Sequence, residues 1–322
     1  MLVIVAPGQG AQTPGFLTPW LEIPTFRSRF EGLAATAELD LVHYGTEADA
    51  DAIRDTQIAQ PLLVATGLAT ALELLPESTG FAGVGAVAGH SVGELTAAGA
   101  VGAFSGEQAM VLVRERGKAM AEASAVTPTG MTAVLGGDRD EVLATLDKHG
   151  LTPANDNGPG QIVAAGTLEQ LAAFADEPPA KARLIPLSVA GAFHTEHMAP
   201  AVGHLTELAA SVSTGAPVTA VISNRDGQVV RDGGEVLTRI VGQIANPVRW
   251  DLCMGTMLEL GVTGMLELPP AGTLSGIAKR AMKGVETFAL KTPDQLDDAR
   301  AFVERHGEAS ANPSSSNPEG VS

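Results

Sequence analysis

Short apolar runs alternate with longer amphipathic stretches along most of this chain, the pattern of strands interleaved with helices. Met1-Leu2-Val3-Ile4-Val5-Ala6 predicts a first strand, broken at Pro7-Gly8. Glu47 to Asp55 is acidic and reads as solvated surface. Gln60-Pro61 opens an Ala/Leu segment to Leu75 that predicts a buried helix, with Pro61 in its first turn. Val84 to Ala88 predicts a buried strand, and Glu94 to Ala98 the start of a helix. Ser105-Gly106-Glu107-Gln108 is a capping box that starts a further helix running to about Ala123.

Beyond Gly130 the order of elements changes. Strand patterns at Met131 to Leu135, Leu151 to Asn155, Gln161 to Ala165 and Arg183 to Val189 are interleaved with helical patterns at Asp140 to Lys148 and Leu168 to Ala175. This βαββαβ order predicts a small ferredoxin-like unit over residues 128–190, inserted into a larger α/β unit formed by residues 1–127 and 191–308. Later come a helix from Val236 to Ala245, a strand from Met265 to Leu268, and a basic helical stretch containing Lys279, Arg280 and Lys283. Residues 309–322 are rich in Ser, Pro and Asn and read as a disordered tail.

Composition sharpens this picture. Of 322 residues 45% are hydrophobic but only 4% aromatic, so the core is built from Ala, Val, Leu and Ile, which suits helices packed on a parallel sheet. The lone cysteine, Cys253, excludes an intrachain disulfide, fits a reducing cytoplasm and reads as a buried thiol. The N-terminus has no basic leader, and no apolar run reaches the roughly 18 residues that span a bilayer, so no membrane association is expected. A net charge of −17 argues against nonspecific nucleic-acid binding. An anionic substrate would need a local exception to that field.

Gly89-His90-Ser91-Val92-Gly93 is the G-x-S-x-G pattern between a predicted strand and a predicted helix, which places Ser91 on a nucleophile elbow. The flanking glycines let the chain reverse without Cβ clashes, and the helix N-terminus offers an N–H to a developing oxyanion. Gly8-Gln9-Gly10 follows the first strand, where loops face the ligand crevice of an α/β protein. It has neither the Gly-Lys-Ser/Thr nor the G-x-G-x-x-G form of a phosphate loop. Arg116 falls on the apolar stripe of its helix, seven residues after Ala109. A buried guanidinium needs a partner. Periodicity leaves two open, an internal carboxylate such as Glu94 or a carboxylate on the substrate. His194, framed by Gly191-Ala192-Phe193 directly after the inserted unit, is the candidate base. His43, His149, His197, His204 and His306 read as surface residues. An α/β hydrolase would carry an acidic residue between serine and histidine and a histidine near the C-terminus. Here His194 sits before a long C-terminal portion and no acidic residue is framed as the orienting third member, which points to a backbone carbonyl to orient the imidazole.

Five motifs occur in order: Gly8-Gln9-Gly10-Ala11-Gln12, Gly89-His90-Ser91-Val92-Gly93-Glu94, Arg116-Gly117-Lys118-Ala119-Met120, Gly191-Ala192-Phe193-His194, and Gln243 followed by Asn246-Pro247-Val248-Arg249-Trp250. From Met1 to about Pro293 the chain resembles the malonyl-CoA:acyl-carrier-protein transacylases of type II fatty-acid and polyketide synthesis. The resemblance implies an α/β fold, with a large α/β-hydrolase-like subdomain on a parallel sheet and an inserted ferredoxin-like subdomain. It implies malonyl transfer from malonyl-CoA to the phosphopantetheine thiol of acyl carrier protein through a malonyl-serine, without metal or bound cofactor. Nothing in the sequence forces a dimer, so a monomer is expected. Ser91 would be the nucleophile and His194 the base. Arg116 would bind the malonyl carboxylate, the N–H groups of Gln9 and Val92 would form the oxyanion hole, and Gln243 would orient His194 through its carbonyl. Gln60, Asn157 and Phe193 would lie near the pocket, Phe193 in the Ala-Phe-His form associated with malonyl selection. Lys279, Arg280 and Lys283 are a candidate patch for an acidic carrier protein. The family's Gly-Pro-Gly is replaced by Pro269-Pro270-Ala271. The contrasting readings are a serine esterase or thioesterase using water, and an acyl-binding scaffold.

Overall fold

The structure is a computed structural model that describes residues 1–75, 80–81 and 83–307; the tail expected over 309–322 lies outside the described residues. In chain order the strands are β1 (Leu2–Ala6), β2 (Val84–Gly89), β3 (Thr129–Gly136), β4 (Thr152–Asp156), β5 (Gln161–Thr167), β6 (Ala182–Pro186), β7 (Ala220–Ile222), β8 (Val229–Val230), β9 (Val248–Arg249), β10 (Gly264–Glu267) and β11 (Glu286–Ala289). They form two sheets, β11-β10-β1-β2-β7-β8 and β6-β3-β5-β4-β9.

The larger sheet is parallel except for β8, which pairs antiparallel to β7. Its central strand is apolar at every position because both faces are covered. Leu2, Ile4 and Ala6 point into the cluster that contains Leu62, Leu95 and Val113. Val3 and Val5 point into a second cluster with Trp250, Met257 and Ile277. The smaller sheet has the strand order of a ferredoxin-like unit, antiparallel from β6 to β4. The helices Arg139–Lys148 and Leu168–Asp176 contribute Val142, Leu146 and Phe174 to its own core. A fifth strand, β9, is an addition that periodicity could not foresee, because two residues carry no pattern. It pairs parallel to β4 through Asn155 with Val248 and Asp156 with Arg249, joining a segment far along the chain to the inserted sheet.

Several boundaries differ from the sequence reading. The Ala/Leu helix runs from Thr56 to Leu74, so Pro61 lies inside it rather than in its first turn. Asp55 starts it, accepting the N–H of Gln57 at 2.8 Å. An interior proline costs about 3 kcal/mol. Burial of Leu62, Leu63, Val64 and Leu68, at roughly 1.5–3 kcal/mol for each large side chain, outweighs it. The acidic stretch before it is not wholly solvated, since Ile53 is buried. The basic helix ends at Ala281, which leaves Lys283 beyond it, and Arg280 donates to Gln161 at 2.9 Å. His306 is not a surface residue. It follows Phe302 by one helical turn on the buried face, with ring centroids 4.5 Å apart, and its Nδ1 lies 3.0 Å from Thr263 Oγ1. His149 is half-buried, edge-on to Phe174. Among the described residues no helix is long and apolar enough to cross a membrane.

The helix that bears Arg116 runs from Gly106 to Ser124 and has both bonds of its capping box. Ser105→Ala is expected to cost about 1 kcal/mol, read as a lowered urea midpoint at unchanged slope.

Candidate active site

Three parallel strands deliver their C-terminal ends to one edge of the large sheet. After β1 comes Gln9, after β2 comes Ser91, and after β7 comes Asn224. The turn at Ser91 is as tight as its glycines require. A Cβ on Gly89 would meet the Gly93 carbonyl carbon at 1.9 Å, and one on Gly93 would meet the Ala6 oxygen at 2.3 Å. Ser91 itself sits at φ 54°, in the left-handed region that non-glycine residues avoid. The helix Gly93–Ala100 follows at once.

Ser91 Oγ lies 2.7 Å from His194 Nε2, and His194 Nδ1 lies 2.8 Å from the main-chain oxygen of Gln243. A carbonyl can only accept, so Nδ1 carries the proton and Nε2 is the free base facing the serine hydroxyl. His194 also has a left-handed backbone, at φ 62°, and its N–H donates to the Ile244 carbonyl at 3.1 Å. The ring is buried. Desolvation, reinforced by the charge of Arg116, lowers its pKa to about 3.

Arg116 is 2% exposed and reaches the same point. Nη1 donates to Gln60 Oε1 at 2.6 Å; Nη2 donates to Gln243 Oε1 at 3.0 Å and to Ser91 Oγ at 3.4 Å. Nε has no partner. Among the described residues the guanidinium makes no ion pair. Of the two partners left open by the sequence, Glu94 acts only at a distance, through its charge. Burial lowers the Arg116 pKa to about 10, and Glu94 opposes that shift, so the group stays cationic at neutral pH. Gln60 continues the chain, with its Nε2 donating to Gln9 Oε1 at 3.2 Å. Among the described residues, the N–H groups of Gln9 and Val92 have no protein acceptor, whereas that of Ser91 donates to Asn224 Oδ1 at 2.8 Å.

Ser91, His194, Arg116, Gln243, Gln60 and Gln9 are thus brought together. Asn157 is one residue removed, 2.8 Å from His90 Nε2, whose ring stands edge-on to Trp250. Phe193 is buried in the main apolar cluster next to His194. The candidate docking residues Lys279, Arg280 and Lys283 are exposed. Cys253 is buried, with its thiol pKa pushed up by desolvation. Two residues were missed. Asn224 grips the elbow from beneath, accepting from Ser91 N–H and donating to the Gly89 carbonyl at 2.7 Å. Its only sequence signal is that Ser223-Asn224 follows an apolar run. The other is His90, whose place inside the elbow motif gives no sign of its bond to Asn157. The assembled group can carry out nucleophilic acyl transfer: a hydroxyl with a neutral base and a buried cation within reach.

The chain matches the acyl transferase domain family over residues 3–308. It is 48% identical over 298 residues to the malonyl CoA-acyl carrier protein transacylase of Mycobacterium tuberculosis, covering 92% of this chain and 99% of that protein. The crystal structure of MCAT from Mycobacterium tuberculosis superposes with a TM-score of 0.90 at 48% identity, over 93% of this chain and 99% of the other. A type II PKS acyl-carrier protein in complex with its malonyl-transacylase provides a further match, at TM-score 0.88 and 29% identity, over 93% of this chain and 99% of the other.

Protons distinguish folded from unfolded here. The unfolded chain protonates His194 below about 6.5, whereas the folded chain resists until about 3. This histidine therefore withdraws stability progressively as pH falls from about 6.5 to about 3. Histidine NMR should find the His194 ring neutral from pH 8 to pH 5, with no titration near 6.5.

Proposed function

The chain belongs to the acyl transferase family, and from that premise we propose that it transfers a malonyl group from malonyl-CoA to the phosphopantetheine thiol of acyl carrier protein. One observation carries this reading: a buried cation and a serine–histidine pair converge on the same oxygen, Ser91 Oγ, at 3.4 and 2.7 Å. A substrate with a thioester at one end and a carboxylate at the other fits that pairing.

In the proposed mechanism the malonyl carboxylate takes the Arg116 donors from the neutral amides of Gln60 and Gln243, exchanging neutral acceptors for a charged one. Ser91 Oγ attacks the thioester carbon while its proton passes to His194 Nε2. The N–H groups of Gln9 and Val92 receive the oxyanion; Ser91 N–H is committed to Asn224 and plays no part. Collapse breaks the C–S bond, the coenzyme A sulfur takes the proton from His194, and malonyl remains on Ser91 as an ester. The carrier thiol then gives its proton to His194 and attacks the ester. The malonyl thioester departs on the carrier, and Ser91 Oγ recovers the proton. Gln243 serves twice: its carbonyl holds the imidazole in the productive tautomer, and its side chain holds the guanidinium. The inserted unit, proposed as residues 128–190 within 1–127 and 191–308, contributes Asn157 to the same crevice.

Intact-mass analysis after malonyl-CoA should show one malonyl adduct, discharged on adding carrier protein. Ser91→Ala should show none; an adduct retained on that variant would exclude Ser91 as the nucleophile. Arg116→Ala should lower kcat/KM for malonyl-CoA on the order of a hundredfold or more while sparing acetyl transfer. An unchanged preference for malonyl over acetyl would reject the clamp.

A further inference from the structure

The carboxylate that balances Arg116 does not touch it. Glu94 stands in the first turn of the elbow helix and is 2% exposed; burial raises its carboxyl pKa to about 7, while the bonds from Asn224 and Gln243 and the charge of Arg116 favour its ionised form. Its Oε1 accepts the N–H of Asn224 at 2.7 Å, and its Oε2 accepts from the side-chain amide of Gln243. That amide nitrogen also lies 3.1 Å from the Ser91 carbonyl and 3.1 Å from Asn224 Oδ1, while the amide oxygen accepts from Arg116. The neighbours dictate which end is which. A guanidinium only donates, and a carboxylate or carbonyl only accepts, so the Gln243 oxygen must face the cation and its nitrogen the anion.

We propose that Glu94 is a positioning residue for acid-bearing acyl groups: it locks the Gln243 amide with its oxygen toward Arg116 and balances the guanidinium charge from one amide away. The proposal rests on the malonyl-transfer reading above and adds a residue to it. The physics turns on two costs. A buried cation with no counter-charge is expensive, on the order of several kcal/mol. A cation in direct contact with Glu94 would have its donors committed to a tethered carboxylate, and a substrate carboxylate would have to displace it. Placing a neutral amide between the charges retains their attraction in a poorly polarisable interior. What the substrate must displace is then only amide oxygens, which are weaker acceptors than a carboxylate. Gln60 repeats the arrangement on the other nitrogen, with its oxygen on Nη1 and its nitrogen turned away toward Gln9.

The second contact of Glu94 makes the test selective. Through Asn224 it braces the turn of Ser91, and a glutamine oxygen at position 94 can still accept the Asn224 N–H. The glutamine NH2 group would instead face the Gln243 NH2 group, donor against donor, so the disturbance falls on the Gln243 amide and through it on Arg116, while the bond to the Asn224 N–H is kept. Glu94→Gln should therefore lower kcat/KM for malonyl-CoA roughly tenfold or more, chiefly through KM. Labelling of Ser91 by a fluorophosphonate, which carries no carboxylate, should fall far less. Malonyl loading at the native rate and KM would overturn the proposal, as would equal losses in both assays. A native chain that loads no malonyl would refute the underlying reading, and this one with it. Should the single variant not fold, Glu94→Gln combined with Arg116→Met removes both buried charges and should fold and melt higher. A double variant no more stable than the single would overturn the proposal by a separate route.

Discussion

A positive charge buried with only neutral groups in contact is the constraint that organises this molecule. Arg116 reaches the interior from a helix whose other inward residues include Leu112, Val113 and Met120, and among the described residues no carboxylate takes hold of it there. Two glutamines hold it, from helices far apart in the chain. Everything else in the site is placed relative to that group. Gln243 presents its oxygen to the cation because acceptors hold its nitrogen, Glu94 together with the Ser91 carbonyl and Asn224 Oδ1. The imidazole stays deprotonated partly because the guanidinium is near, after the larger effect of its own burial. The hydroxyl between them is thus poised to lose a proton in a place where negative charge is welcome.

The large sheet explains how such distant residues meet. Parallel strands end together, and loops leaving those ends share a rim. The segment after Gln243 extends this logic to the second sheet. Within a few residues the chain passes from the main-chain perch of the imidazole, through Asn246-Pro247, into β9 at the edge of the smaller sheet. The two sheets are therefore coupled through the residue that orients the base, and not only through the connections at either end of the inserted unit.

How far all this was legible depends on how local each determinant is. Ser91 announces itself because the elbow needs five adjacent residues and leaves its glycines as a trace. Arg116 shows as a charged residue on an apolar stripe, and His194 as a polar one framed by small neighbours. What could not be read is what folding alone assembles. Asn224 is a single polar residue after a three-residue strand, and its importance lies in two bonds to a turn more than a hundred residues earlier. β9 is too short to have a period. Pro61 looked like a beginning because local propensity ends helices at proline, whereas burial along both sides of that helix carried it through. His306 was misread because one histidine in a charged stretch gives no hint that its helix turns it inward beneath Phe302. The five-motif resemblance supplied Gln243 and its carbonyl, which no pattern in the residues would have found.

Both residues that would exchange the proton, Ser91 and His194, hold backbone angles that cost an ordinary side chain about 1–3 kcal/mol. Glycine at either position would relax the chain, and the relaxed protein would be inert. The most stable version of this fold is therefore not the working one. Random drift toward a more comfortable backbone would erase the chemistry first, and selection for turnover has to keep acting against thermodynamic ease at these two points.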